Sequence, residues 1–507
     1  MRLKNSINNT IYSLANIILV TILNIIYRTI FIRILGAEYL GVSAALTNII
    51  TLLSLTELGF SQAISYHLYK PLLEKKYNKT YGIMCYFKKV YFNIGILLLI
   101  LGCILLPFLE IIIPTQISTK ELNIAFFLFI LNSSITYFWG YKRTLIIADQ
   151  KNYKIIPYIS LFQTVELVLK STILFLTESF IITLLVQLII KLIENIAINK
   201  YITDKYKYIF KSGNNILDKY DILSIRRKTI GVMYHKFGDV FINGTDNIII
   251  SMFVGVSILG IYSNYAMIIA LLTSFILVFF NSLISSFGNL IIENKRKSEN
   301  TFYIIQLISI YLFGMIGTIY FLTINDVIKL WIGSQFILPQ SIVSLIVINF
   351  FLLGLRIPLN VVKTAGGAFE QDKYAPIIQG IMNLVLSILL SKNYGIAGVL
   401  LGTLISTILI PLWVQPYIVY KYIFNTDIRK YIINTIKLLF VNIFIFFCIY
   451  QIAILLPILD IDNKYLELAL KVTTIFFSYS FIILLIKRRT FITLFKSIIS
   501  IRNEKIS

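Results

Sequence analysis

The stretch Phe302-Tyr-Ile-Ile-Gln-Leu-Ile-Ser-Ile-Tyr-Leu-Phe-Gly-Met-Ile-Gly-Thr-Ile-Tyr-Phe-Leu322 runs for 21 residues without a charge. A helix needs roughly 20 mostly apolar residues to cross the hydrocarbon core of a bilayer. The run is too long, and too little alternating, for a strand of a membrane barrel, which takes about ten residues. In hydrocarbon every backbone amide must be paired within its own segment or in a closed barrel, so the reading is a transmembrane helix. Similar runs recur along the chain, Ile432 to Leu456 among them. The whole sequence of 507 residues has 58% hydrophobic residues and only 14% charged ones, against about 25% charged in soluble domains. The mean hydropathy is +0.83. The pattern predicts an all-α polytopic membrane protein with about fourteen spans: 11–35, 42–66, 90–113, 122–141, 155–175, 178–199, 229–253, 258–290, 302–322, 336–361, 374–391, 396–420, 432–456 and 466–486. The eighth is overlong and is expected to contain a break or to leave the membrane.

A net charge of +22 would suggest nucleic acid on a soluble protein. Here the Lys and Arg sit in short gaps between apolar runs, which marks loops facing the cytoplasm. With the N-terminus inside, 34 basic residues fall on the inside and 5 on the outside. The expectation is an even number of spans, both termini cytoplasmic, in a bacterial cytoplasmic membrane, with the bilayer as partner and no nucleic acid. Cys85, Cys103 and Cys448 lie in or beside apolar runs and read as small buried hydrophobes, with no disulfide framework and no metal spacing. No metal and no cofactor is expected. The first apolar stretch outruns a short h-region, so no cleavable signal peptide is expected.

The chain also repeats itself. Leu35-Gly36-Ala37-Glu38-Tyr39-Leu40-Gly41-Val42 matches Val254-Gly255-Val256-Ser257-Ile258-Leu259-Gly260-Ile261 at an offset of 219, each a short turn with glycines five apart. Gln150-Lys-Asn-Tyr153 and Gln371-Asp-Lys-Tyr374 match at 221. Two six-helix bundles of the same orientation are predicted, a parallel repeat about an axis along the membrane normal. The expected division is an N-terminal lobe over 1–199, a basic cytoplasmic linker over 200–228, a C-terminal lobe over 229–425, and two extra helices with a basic tail over 426–507. Gly36, Gly41, Gly255 and Gly260 are candidate gating turns.

Five stretches resemble the MOP superfamily of multidrug, oligosaccharidyl-lipid and polysaccharide exporters, and within it the Wzx-type branch. They are Ile34-Leu-Gly-Ala-Glu-Tyr-Leu-Gly-Val42; Leu55-Thr-Glu-Leu-Gly-Phe60; Asp246-Asn-Ile-Ile-Ile-Ser-Met-Phe-Val-Gly255 with Gly260-Ile-Tyr-Ser-Asn264; Ala365-Gly-Gly-Ala-Phe-Glu-Gln-Asp-Lys373; and Asn383 to Ser387 running to Tyr394-Gly-Ile-Ala-Gly-Val-Leu-Leu-Gly402. The resemblance covers about residues 10–425 and rests on structural motifs. It implies two lobes around a central cavity. It further implies a flippase carrying undecaprenyl-diphosphate-linked oligosaccharide to the outer leaflet by alternating access, for O-antigen or capsular polysaccharide. The two extra spans resemble those that form a lipid-tail groove in the peptidoglycan lipid flippase branch. A glycan polymerase and a chain-length regulator would be partners, and a monomer is compatible with all of this.

A charge at mid-membrane costs at least about 2.5 kcal/mol, so such residues are candidates for function. Asn24 and Arg28 lie one turn apart in the first span. Lys236, Asp239 and Asp246 share a face of the seventh. Arg356, Asn360 and Lys363 share a face of the tenth, with Lys363 expected in a loop. Glu57 lies in a polar stripe with Thr47, Thr51, Ser54 and Ser61. Arg28, Lys236 and Arg356 are the expected diphosphate holders, because guanidinium groups offer paired donors. Asn24 and Asn360 would assist them. Glu57, Asp239 and Asp246 are candidates for ion coupling or a polar cavity lining, with the structural role of capping a neighbouring helix slightly favoured for Asp246. Glu166 and Lys170, four apart, are expected to form an internal ion pair.

P-loop glycines, HExxH and CxxC are absent from the sequence, and its longest polar segment, about 200–228, is too short for a soluble catalytic domain. The reading is a transporter, not an enzyme. A multidrug exporter of the same superfamily and a membrane glycan polymerase are the rivals.

Overall fold

The structure is a computed structural model that describes residues 2–57, 60–211, 217–368, 370–455 and 463–486. Among the described residues there is no strand. In chain order the helices are α1 (Arg2–Leu53), α2 (Phe60–Leu73), α3 (Tyr77–Leu105), α4 (Leu109–Ile112), α5 (Thr119–Ala148), α6 (Ile156–Thr177), α7 (Phe180–Lys205), α8 (Lys207–Phe210) and α9 (Lys219–Phe253). They continue as α10 (Val256–Ser282), α11 (Ile284–Glu293), α12 (Lys295–Trp331), α13 (Gln340–Gly366), α14 (Ala375–Tyr394), α15 (Ile396–Leu409), α16 (Pro411–Ile418), α17 (Arg429–Leu455) and α18 (Lys464–Ile486).

Twelve stretches of described helix are long and apolar enough to cross a membrane. The first runs from Asn8 to Leu53 and holds two of the expected spans. They are divided at Gly36, whose φ of 82° and ψ of −176° break the helical run. α9 stands where the seventh span was expected; its intramembrane charges make it the least apolar. The chain is therefore an all-α polytopic membrane protein with about fourteen helical crossings. The eighth span does break, between α10 and α11 at Leu283. The second span also breaks, which its apolar run hid: α1 ends at Leu53, a 3-10 turn covers Ser54–Glu57, and α2 starts at Phe60. Helix also extends into the polar segment 200–228, through α7, α8 and the start of α9.

Helix ends follow local chemistry. Ser118, Ser179 and Asn294 cap α5, α7 and α12, each side-chain oxygen accepting from the amide three residues on. Outward faces stay apolar. On α17, Phe440, Phe444 and Phe447 lie at helical spacing and are 59–69% exposed, a surface that lipid tolerates and water does not. Cys103, expected to be buried, is exposed on α3, while Cys85 and Cys448 are half-buried. In a membrane helix an exposed position is as apolar as a buried one, so hydropathy does not separate the two.

By contacts the chain forms two compact units: residues 1–263 with 376–399, and residues 264–375 with 400–507. Their limits differ from the expected lobe limits, since 229–263 and 376–399 fall in the first unit. In the first, α5 packs against α3 and α7, α1 against α6 and α9, and α6 against α7. In the second, α12 is central and contacts α13, α17 and α18. Phe302, Tyr420, Phe424 and Tyr431 form an aromatic core at one end of that unit. The two added helices are joined to α12 by polar contacts. Gln306 Nε2 donates to Thr435 Oγ1 at 2.8 Å, Tyr311 and Ser480 hydroxyls lie 2.8 Å apart, and Lys471 meets Asp326 at 2.7 Å. Such bonds hold membrane helices together where no hydrophobic drive between them exists.

Candidate functional site

The two glycine turns of the repeat meet each other. A Cβ on Gly41 would lie 1.9 Å from the carbonyl oxygen of Val256, and one on Gly260 would lie 1.9 Å from that of Ala37. Ala37 and Val256 are equivalent under the 219-residue offset, and so are Gly41 and Gly260. The contact is thus reciprocal, as across a two-fold axis. The turns themselves need the left-handed half of φ space, with 82° at Gly36 and 126° at Gly255, which glycine enters without a Cβ clash. Four glycines picked out in the sequence therefore occupy one junction in the first unit.

Arg28 lies beside this junction. It is half-buried, and its guanidinium donates to Ser263 Oγ, one turn past Gly260. Ser263 in turn donates to the Gly260 carbonyl at 2.7 Å. Asn24, one turn from Arg28, is exposed and donates to the Val20 carbonyl of its own helix at 2.9 Å. Nothing in the sequence pairs Arg28 with Ser263, because 235 residues separate them.

Glu57 closes the 3-10 turn between α1 and α2 and accepts a bond from the Tyr91 hydroxyl on α3. Tyr91 stacks edge-on with Tyr137 of α5, ring centroids 5.6 Å apart. Sequence reasoning missed both tyrosines, since an aromatic in an apolar run carries no polar signal. Asp246 on α9 accepts from Asn383 Nδ2 of α14 at 3.3 Å, and Asn383 also accepts from Ser387 at 2.8 Å. Lys236 and Asp239 are on the helical backbone of α9, and their side chains lie outside the described residues.

In the second unit, half-buried Arg356 on α13 donates to Gln415 Oε1 of α16 at 3.4 Å, and Asn360 is half-buried one turn on. Lys363 corrects an expectation. It is not a loop residue: α13 runs on to Gly366, and Lys363 is buried against Asp372. That pair belongs to the stretch Ala365 to Lys373 quoted for the resemblance, and its role is to pin that turn to the helix end.

The sequence model of the family described as polysaccharide biosynthesis protein matches residues 6–290. The chain belongs to that family. Its fold is that of the MOP superfamily. A structure of the lipid II flippase MurJ in an inward closed conformation is 14% identical over 95% of this chain and 100% of its own, with a TM-score of 0.65. An inward-facing multidrug resistance MATE family transporter of the MOP superfamily is 14% identical over 79% of this chain and 94% of its own, with a TM-score of 0.64. A Vibrio cholerae MATE transporter is 13% identical over 84% of this chain and 98% of its own, at 0.54. No curated protein sequence matches.

Within this family member, other membrane-depth charges are neutralised inside the first unit. Glu194, 1% exposed, receives Arg143 at 2.8 Å and Lys191 at 2.9 Å. Glu166 and Lys170 pair at 3.6 Å, with the Lys170 ammonium over the Tyr27 ring at 4.6 Å. Several cavities occur among the described residues, and three of them lie close to these elements. One of about 590 Å³ is lined by Glu38, Glu110, Thr115 and Ser257 beside the glycine junction. One of about 350 Å³ is apolar and lies between α12, α13 and α17, with Phe313, Val347, Phe351 and Phe446 on its walls. One of about 500 Å³ is basic and lies at the start of α17.

Proposed function

We propose that this protein flips an undecaprenyl-diphosphate-linked oligosaccharide across the bacterial cytoplasmic membrane by alternating access, supplying repeat units for a surface polysaccharide such as O-antigen or capsule. It is a membrane flippase in this reading, not an enzyme. The observation that carries it is Arg28: a half-buried guanidinium in the first apolar helix that donates to Ser263 beside the glycine junction, in a chain of the polysaccharide biosynthesis family. Arg28, Lys236 and Arg356 would supply the charge that holds the diphosphate, with Asn24 and Asn360 as further donors. Glu57, Asp239 and Asp246 would serve an antiported ion or a polar lining.

Energetics favour the direction. A membrane potential negative inside contributes about 2.3 kcal/mol per charge per 100 mV. Outward movement of a diphosphate is downhill in that field, and so is inward return of an empty cationic site. Both termini would be cytoplasmic, and a glycan polymerase and a chain-length regulator would act on the product.

The test is export of lipid-linked glycan in a strain lacking its own repeat-unit flippase. The intact chain should restore surface polysaccharide, and Arg28→Ala at equal protein level should not. Restored resistance to cationic drugs without glycan export would assign the chain to the multidrug exporters instead.

A further inference from the structure

We infer that the basic cavity at the start of α17 seats the phosphate of an anionic phospholipid from the adjacent leaflet. The cavity holds about 500 Å³ and is lined by Tyr303 of α12 and by Asp427, Arg429, Lys430, Asn434 and Lys437. Lys430, Asn434 and Lys437 recur at four and three residues, so they project from one face of α17 into the same opening. The first-turn amides of this 27-residue helix add the positive end of its dipole. Asp427 takes only one of these amides, that of Arg429, at 2.9 Å.

Two observations separate this cavity from a scatter of loop charges. Lys437 stands two turns inside the helix, between Ile436 and Leu438, where a cation needs an anion or a path to water. Among the described residues it has no acidic partner within 4.0 Å. Lys430 lies over the Tyr303 ring at 5.0 Å and pairs with Glu299 at 4.0 Å, and Arg429 pairs with Asp427 at 3.7 Å, which leaves Lys437 as the lining cation without a carboxylate among the described residues. Leu439 and Ile443 face the other side of α17, where they line the separate apolar cavity. Basic pockets between transmembrane helices are known seats for phosphate headgroups.

The charge balance selects the occupant. Three cations face Asp427 within the lining and Glu299 beside it. The surplus suits a phosphodiester monoanion better than a diphosphate, which carries more charge and gains from buried guanidinium forks. All three cations are exposed, as a site exchanging with bulk lipid requires. This inference is independent of what the protein transports and of which end faces the cytoplasm.

The experiment uses the full chain in nanodiscs of phosphatidylcholine containing a minor fraction of phosphatidylglycerol, with retained lipid counted by native mass spectrometry. The intact chain should retain phosphatidylglycerol over phosphatidylcholine. The triple variant R429Q/K430Q/K437Q should lose about a hundredfold of that preference, since each surface cation is worth about 1 kcal/mol toward anionic lipid. The conservative R429K/K430R/K437R should keep it, which also guards against a folding defect. K70Q/K75Q/K76Q, which removes three exposed lysines of the first unit, should leave it unchanged. Equal loss in that control would overturn the site in favour of diffuse charge. So would displacement of phosphatidylglycerol by free inorganic phosphate at matched concentration, or by trace undecaprenyl diphosphate, the latter assigning the cavity to the polyprenyl lipid.

Discussion

A β-carbon on Gly41 would fall 1.9 Å from the carbonyl oxygen of Val256, so α1 and the start of α10 meet backbone to backbone. A carbonyl cannot rotate away from such an overlap as a side chain could. Gly41→Ala is expected to destabilise the protein by about 1–3 kcal/mol, the range for inserting carbon into a packed site. Gly260→Ala should match it, because its clash with the Ala37 carbonyl is equivalent. Gly36→Ala meets no atom within 4 Å and should cost only its backbone strain. Thermal unfolding in detergent measures all three, and a Gly41→Ala or Gly260→Ala variant as stable as the intact chain would contradict the junction.

Glu194 balances two cations inside the first unit. Glu194→Gln leaves Arg143 and Lys191 facing an uncharged amide and is expected to cost about 3–5 kcal/mol, as removal of one partner of a buried pair does. The membrane-inserted yield should fall sharply. Adding Arg143→Gln to Glu194→Gln should recover part of the loss, and failure to recover any would mean that Glu194 acts other than as a counter-charge.

At Arg28 the conservative exchange is informative. Lysine keeps the charge and loses the planar fork. Arg28→Lys is expected to export lipid-linked glycan at a reduced rate, between that of the intact chain and that of Arg28→Ala, with unchanged melting temperature. Full activity in Arg28→Lys would mean that charge alone suffices.

The added helices are fixed to α12 at Gly314, where a Cβ would come within 2.2 Å of both Asn442 Oδ1 and the Tyr479 hydroxyl. The Tyr479 hydroxyl donates to that same Asn442 oxygen. Tyr479→Phe should cost about 0.6 kcal/mol, the average for a hydrogen bond between membrane helices. Gly314→Ala should cost more, because it also forces α17 and α18 outward. Cysteine crosslinking between α12 and α18 would report the displacement.

The spans were legible in the sequence because they rest on local pattern. A run such as Phe302 to Leu322 is decided by the solvent it can enter, and glycines five apart announce a turn wherever they occur. The breaks at Ser54 and Leu283 differ in legibility for the same reason: excess length exposed the second, while the first fell inside a run of ordinary length. Partners were not legible. Arg28 meets Ser263, Glu57 meets Tyr91 and Asp246 meets Asn383 across long separations, and a hydroxyl or amide in an apolar helix does not announce which neighbour it will face. Lys363 was misplaced because a lysine near a glycine pair looks like a loop until its buried aspartate is seen.

The reciprocal glycine contact also has a mechanical meaning. Atoms lying on a local dyad barely move when one side turns about it, whereas any sliding motion parts them at once. Gly41 and Gly260 sit so near that dyad that a Cβ on the latter would be 3.1 Å from the amide nitrogen of the former. On that geometry we expect the two turns to pivot against each other more readily than to slide.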